Sequence, residues 1–191
     1  MQKLFQKYYQ KLDRVPVEFH RYLLKEVDWS SRLIGIKGAR GSGKTTLLLQ
    51  SIHFRELPQD HQSLYVSLDD LYFAENKLYD LADQFVREGG RFLFLDEVHR
   101  YERWSAEIKN IYDDFLDLQV VFTGSSLLHL DQAKGDLSRR AIMYELWGLS
   151  FREYLHFKLN TSFEAVTLEN ILSNHLQLAR GISRKIKPLA Q

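Results

Sequence analysis

Apolar positions recur along the chain at two periods, and the changes of period mark out its elements. Leu4, Phe5, Tyr8, Tyr9 and Leu12 fall three and four residues apart, and Phe19, Tyr22, Leu23 and Leu24 repeat the grouping beyond Pro16. Two helices with core-facing aromatics are expected, the alternative being a surface stripe that meets a partner or flanks an adenine. Residues 31–37 read as a short buried strand and residues 46–52 as a helix. After a break at residues 58–62, residues 63–68 resume as a strand. Asp69 and Asp70 then open a helix whose apolar face runs through Leu71, Phe73, Leu78, Leu81, Ala82, Phe85 and Val86 until Gly89-Gly90 ends it. The two aspartates read as helix caps, with metal binding as the second alternative.

Residues 91–97 hold a continuous apolar run of the kind buried on both faces of a parallel sheet, and it ends in two carboxylates. Trp104, Ile108, Ile111, Tyr112, Phe115 and Leu116 outline an amphipathic helix, residues 118–123 a strand closed by Gly124-Ser125-Ser126, and residues 141–146 a last strand. Ser150-Phe151-Arg152-Glu153 is a capping box that starts a helix, and Thr161-Ser162-Phe163-Glu164 offers a second. Leu168, Ile171, Leu172 and Leu176 continue the helical spacing.

Composition narrows the setting. A chain of 191 residues with 45% hydrophobic and 27% charged residues has room for one main globular domain and a small appendage. The net charge of +1 gives no general pull on nucleic acid or an anionic membrane, so nucleic acid as a partner has no support from charge. The basic run at residues 180–187 reads as solvated surface. No cysteine occurs, which excludes disulfides, thiolate metal sites and cysteine nucleophiles and fits a reducing compartment, the cytoplasm by default. The N-terminus lacks the apolar centre of a signal peptide, and no run approaches the ~18 apolar residues of a membrane span.

The chemistry concentrates in one loop. Gly38, Ala39, Arg40, Gly41, Ser42, Gly43, Lys44 and Thr45 match the phosphate-loop pattern G-x-x-x-x-G-K-[ST] at every fixed position, between an expected strand and a helix that opens with Thr46. The glycines let backbone N–H groups close around phosphate as an anion nest, Lys44 reaches the β- and γ-phosphates, and the Thr45 hydroxyl ligates Mg²⁺. Asp96 and Glu97 then match a Walker B ending. A carboxylate at the carboxyl end of such a strand sits where open α/β sheets bind ligands, so Asp96 is expected to hold Mg²⁺ through water and Glu97 to orient the attacking water. His99 completes Asp-Glu-Val-His, which superficially matches a helicase box, but one domain is too short for the two sheets a helicase needs. A hydrogen bond near the site is expected of it instead. Ser125 sits beside the γ-phosphate if its strand is inserted between the other two, and otherwise caps a helix; the pattern does not give strand order. Arg139 and Arg140 can supply a guanidinium to phosphate, often in trans, or simply pair with local carboxylates.

Gly38–Thr45, Leu93–His99, Thr123–Ser126, Arg139-Arg140 and the run from Tyr144 through Ser150-Phe151-Arg152-Glu153-Tyr154-Leu155 together resemble prokaryotic AAA+-type ATPases, specifically the archaeal and bacterial group with an additional C-terminal domain. The resemblance covers the chain from about residue 15 onward. It implies an α/β three-layer sandwich of the P-loop NTPase kind, with a central parallel five-stranded sheet that has the Thr123 strand inserted centrally. Residues 1–30 would then be an N-terminal helical segment, 31–150 the ATPase core, and 151–191 the start of a helical lid. It further implies Mg·ATP as substrate, ATP hydrolysis coupled to conformational change, and a homo-oligomer in which Arg139 or Arg140 acts as an arginine finger. The chain stops just after Lys187-Pro188, where members of that group continue, so a short form or a fragment is expected. Two other functions compete: an ATP-holding switch with little hydrolysis, and a small-molecule phosphotransferase, which would need an acceptor pocket.

Overall fold

In the computed structural model, residues 1–58, 60–125, 137 and 139–186 are described. Ser126, Lys187 and Pro188 lie outside them. The chain divides into two compact units, Met1–Gly148 and Leu149–Gln191.

The first unit is built on five parallel strands: β1 (Leu33–Gly38), β2 (Ser63–Ser67), β3 (Phe92–Asp96), β4 (Gln119–Ser125) and β5 (Ile142–Glu145). They lie in the order β2-β3-β4-β1-β5, so β4 is inserted between the phosphate-loop strand and the Asp96 strand. Parallel neighbours need long crossovers, and the helices between the strands provide them. Residues of β1, β3 and β4 such as Ile34, Ile36, Leu93, Phe94, Leu95 and Val121 are buried, which is why these segments read as continuous apolar runs rather than alternating ones. Pairing register sets Gly38 opposite Ser125 and Ser67 opposite Asp96, so the loop, the carboxylate and the serine emerge at one end of the sheet.

Helix α1 (Gln2–Leu12) packs against β2 and α3 (Lys44–Phe54), burying Leu4, Phe5, Tyr8 and Leu12. Its aromatic stripe is therefore core. The second expected helix shrinks to a single turn, α2 (Leu23–Glu26). Ahead of it the carbonyls of Pro16 and Phe19 accept from Gln50 Nε2 at 2.6 and 2.8 Å, a side-chain partner in place of a helical ladder. The single helix expected after Asp70 is two, α4 (Tyr72–Glu75) and α5 (Leu78–Arg87). Asn76 and Lys77 are extended between them, and the Asn76 amide donates to Tyr72 O at 2.8 Å. Neither aspartate is the N-cap, which is Leu71: Asp70 accepts from Tyr72 N at 3.0 Å in an Asx turn just ahead of the helix, and Asp69 accepts from Ser67 Oγ at 2.6 Å. Gly89, at φ +92°, ends α5 and turns Gly90 N back to Phe85 O at 2.8 Å. A short 3₁₀ turn (Val98–Arg100) and α6 (Trp104–Asp114) then lead into β4.

In the second unit, α7 (Phe151–Leu159) starts with both halves of its capping box: Ser150 Oγ accepts from Glu153 N at 3.2 Å, and Glu153 Oε2 accepts from Ser150 N at 2.9 Å. The box expected at Thr161 starts nothing. Helix α8 (Leu168–Ile186) begins later, where Thr167 Oγ1 accepts from Asn170 N at 3.2 Å, and it kinks at Asn174.

Candidate nucleotide site

The loop between β1 and α3 owes its path to its glycines. Gly41 and Gly43 have φ of +80° and +94°, a region that side chains resist, and Gly43 hands directly into the first turn of α3. A Cβ on Gly38 would stand 2.4 Å from Leu146 O, so the strand exit can pass the chain beyond β5 only without a side chain. Lys44 is buried at 5% exposure, and its Nζ spans the loop, donating to Gly38 O at 3.0 Å and Ala39 O at 2.9 Å. The charge is thus held by two of the loop's own carbonyls. Ala39, Arg40 and Gly41 are exposed at the tip; Ser42 and Thr46 are half-buried.

Asp96 is 2% exposed and gathers four donors. Oδ2 accepts from Thr45 Oγ1 and from the Tyr65 hydroxyl, both at 2.7 Å; Oδ1 accepts from the Thr123 hydroxyl and from Glu97 N at 3.1 Å. Burial, followed by the charge of Asp96, pushes the Tyr65 phenol well above its ordinary range, so Tyr65 remains a donor. Glu97 takes a left-handed backbone at φ 53°, an uncommon choice for a non-glycine residue that turns it away from the strand line. Its Oε2 lies 3.4 Å from His99 Nε2. Ser125 N donates to His99 Nδ1 at 3.3 Å, which leaves the ring proton on Nε2, facing Glu97. Glu97, His99 and the end of β4 form one connected line.

A profile of the AAA domain family matches residues 30–155, a span that contains the loop, both carboxylates and all five strands. The chain belongs to that family. An uncharacterised protein of Methanocaldococcus jannaschii, MJ1637, is 35% identical over 162 residues, which is 81% of this chain and 34% of that protein. The chain therefore spans about a third of that relative's length. Among solved structures, C. elegans PCH-2 aligns at 17% identity over 88% of this chain and 49% of that one, with a TM-score of 0.49. AMPPCP-bound DnaA from Aquifex aeolicus aligns at 18% identity over 97% and 61%, with a TM-score of 0.47. Membership makes this a P-loop domain of the nucleotide-binding, ATPase-like type. Among the described residues no helix is long and apolar enough to cross a membrane.

In this AAA domain Lys44, Thr45, Asp96, Glu97 and Ser125 lie at one end of the sheet, whereas Arg140 is engaged elsewhere. Arg140 binds Asp113 of α6 through Nε at 2.8 Å and Nη2 at 2.9 Å, and holds that carboxyl below its usual range. Arg139 is exposed. Three further residues, two in the AAA domain and Arg21 ahead of it, escaped the sequence reading as site candidates. Tyr65 and Thr123 carry ordinary strand-forming side chains, and only strand order brings them to Asp96. Arg21 is 6% exposed and donates to Ser42 O from Nη1 and to Trp147 O and Gly148 O from Nη2 at 2.7 and 3.1 Å. No local pattern marks it, because all three acceptors are backbone carbonyls.

Proposed function

We propose that this AAA domain binds ATP with Mg²⁺ and hydrolyses it, using the change of nucleotide state to drive a conformational change. The observation that carries the reading is the 2.7 Å contact of Thr45 Oγ1 with Asp96 Oδ2 at the start of the phosphate-loop helix. A hydroxyl and a carboxylate are the hard oxygen donors magnesium takes from protein, with phosphate and water completing its shell, so the donor set fits the ion. Thr45 and Asp96 would hold Mg²⁺, which would neutralise charge on the β- and γ-phosphates. Lys44 and the loop amides bind and orient the phosphates. Glu97 positions the attacking water, with His99 fixing its carboxylate, and Ser125 donates near the γ-phosphate from the end of β4.

Because Arg140 is engaged by Asp113, Arg139 is the residue we assign as an arginine finger, reaching a neighbour's nucleotide in a homo-oligomer. Residues 151–186 serve as the start of a helical lid. The cysteine-free composition suits work in the cytoplasm.

The contact of Glu97 with His99 also favours a second reading, an ATP-holding switch in which the carboxylate is restrained and hydrolysis is slow. Single-turnover hydrolysis of γ-labelled ATP, with and without Mg²⁺, separates the two. Mg²⁺-dependent phosphate release, slowed about 10²-fold or more by Glu97→Gln with nucleotide binding retained, supports the ATPase. Binding with no release at any protein concentration leaves the switch.

A further inference from the structure

Beside the metal-binding pair lies a cavity of about 520 Å³ walled by α1, the first turns of α3 and the carboxyl end of β2. That volume is in the range that holds small organic ligands, roughly 300–1,000 Å³. Lys7 and Lys11, on the edge of the α1 stripe beside Leu4, and Arg14, in the turn after the helix, line it together with Asp70. Lys7 is neutralised by Asp70. Asp70, which lines the cavity too, feels Lys11 as well as Lys7, so one carboxylate faces three cations there and the lining keeps a net positive charge.

The far wall is not inert. Thr45 and Tyr65 both line the cavity, and Tyr65 carries hydrogen bonds on two sides: Lys11 Nζ donates to its hydroxyl at 3.2 Å, and that hydroxyl donates to Asp96 Oδ2 at 2.7 Å. Lys11 also sits 4.7 Å from the Tyr65 ring centroid. An anion that draws Lys11 away would leave the phenol bound to Asp96 alone, and would change how that carboxylate is shared between Tyr65 and Thr45.

We propose that this cavity binds a small organic anion, a phosphate or carboxylate carried on an apolar body, and that Lys11, Tyr65 and Asp96 relay its presence to the metal-binding pair. Arg14 and Lys11 hold the anionic group, and the apolar lining of Leu4, Val15, Leu49 and Val66 takes the body. The binding half stands independently of ATP chemistry. The relay half rests on the ATPase reading and extends it with a second ligand.

The probe is phenyl phosphate, with benzoate as the carboxylate version and benzyl alcohol as the neutral control, titrated calorimetrically. Two samples keep the phosphate loop out of the signal: protein saturated with Mg·AMPPCP, and the Lys44→Ala variant, checked for folding by circular dichroism. Phenyl phosphate should bind both with a Kd of roughly 1 mM or tighter, and benzyl alcohol should not. Lys11→Gln and Arg14→Gln, both at exposed positions, should each weaken binding about tenfold, the effect of one charge-assisted hydrogen bond. Lys7→Gln should do less. Saturating probe should shift the Mg²⁺ concentration that half-supports AMPPCP binding, and Tyr65→Phe should keep the probe while abolishing that shift. No binding, equal binding of the alcohol, or indifference to Arg14→Gln and Lys11→Gln overturns the site. A shift that survives Tyr65→Phe overturns the relay. Failure of the chain to bind AMPPCP would sink the ATPase reading and leave the Lys44→Ala result standing on its own.

Discussion

Four donors converge on Asp96, and each is supplied by a different stretch of chain: Thr45 from α3, Tyr65 from β2, Thr123 from β4 and the Glu97 amide. A buried carboxylate with its lone pairs filled is rigid, and removing one donor leaves part of a desolvated charge unmet. Thr123→Val, which keeps the shape and loses the hydroxyl, should cost about 1–3 kcal/mol in urea unfolding and also slow hydrolysis, because Glu97 N shares that hydroxyl. A stability equal to wild type would mean the Thr123 hydroxyl contributes nothing. Lys44→Ala removes the cation held across the loop and should weaken binding of a fluorescent ATP analogue severely; unchanged affinity in a folded variant would remove the loop from the site. The loop and the Asp-Glu pair were legible because their chemistry demands particular residue types in fixed order. Tyr65, Thr123 and Arg21 were not, since each acts through partners 31, 27 and at least 21 positions away in the chain.

At the scale of elements, periodicity found β1 to β4 because buried strands leave unbroken apolar runs; β5 was found too, though its Ile142 and Met143 are exposed. It did not give their order, and the position of Ser125 at the site depends on that order. Helix ends were legible where a particular residue type closes them, as Gly89 does for α5. Ser150-x-x-Glu153 and Thr161-x-x-Glu164 carry the same pattern, yet only the first makes its reciprocal bonds, while Thr167 caps the helix the second was expected to start. Hydrogen exchange should register the difference. Ser150→Ala should lower the protection of residues 151–159 by the equivalent of about 1 kcal/mol, and Thr161→Ala should leave residues 168–186 unchanged. Equal effects from the two substitutions would contradict the capping assignment. The long helix expected over residues 69–86 failed for a related reason: its imperfect apolar spacing conceals a break at Asn76, whose side chain satisfies the preceding turn.

For the whole molecule, the reach of Arg139 sets the prediction. If Arg139 serves the nucleotide of a second copy, as proposed, activity per protomer should rise with protein concentration. Glu97→Gln chains, intact at Arg139, and Arg139→Ala chains, intact at Glu97, should each be nearly silent alone and should recover activity when mixed, because one class of mixed interface pairs the sound half of each. Concentration-independent activity with no recovery on mixing would place Arg139 on a surface without catalytic duty.

The three carbonyls held by Arg21 give this chain a tether. Ser42 O belongs to the tip of the phosphate loop, and Trp147 O and Gly148 O belong to the last two residues of the first unit, so one guanidinium pins together stretches that sequence separates by more than a hundred residues. A shift of the loop that carried Arg21 with it would pull on the peptide just ahead of Leu149. Cutting the tether with Arg21→Met should therefore leave nucleotide affinity within a few-fold of wild type, yet erase any nucleotide-dependent change in protease cleavage between residues 149 and 186. A cleavage pattern that still answers to nucleotide would mean the message travels by another line.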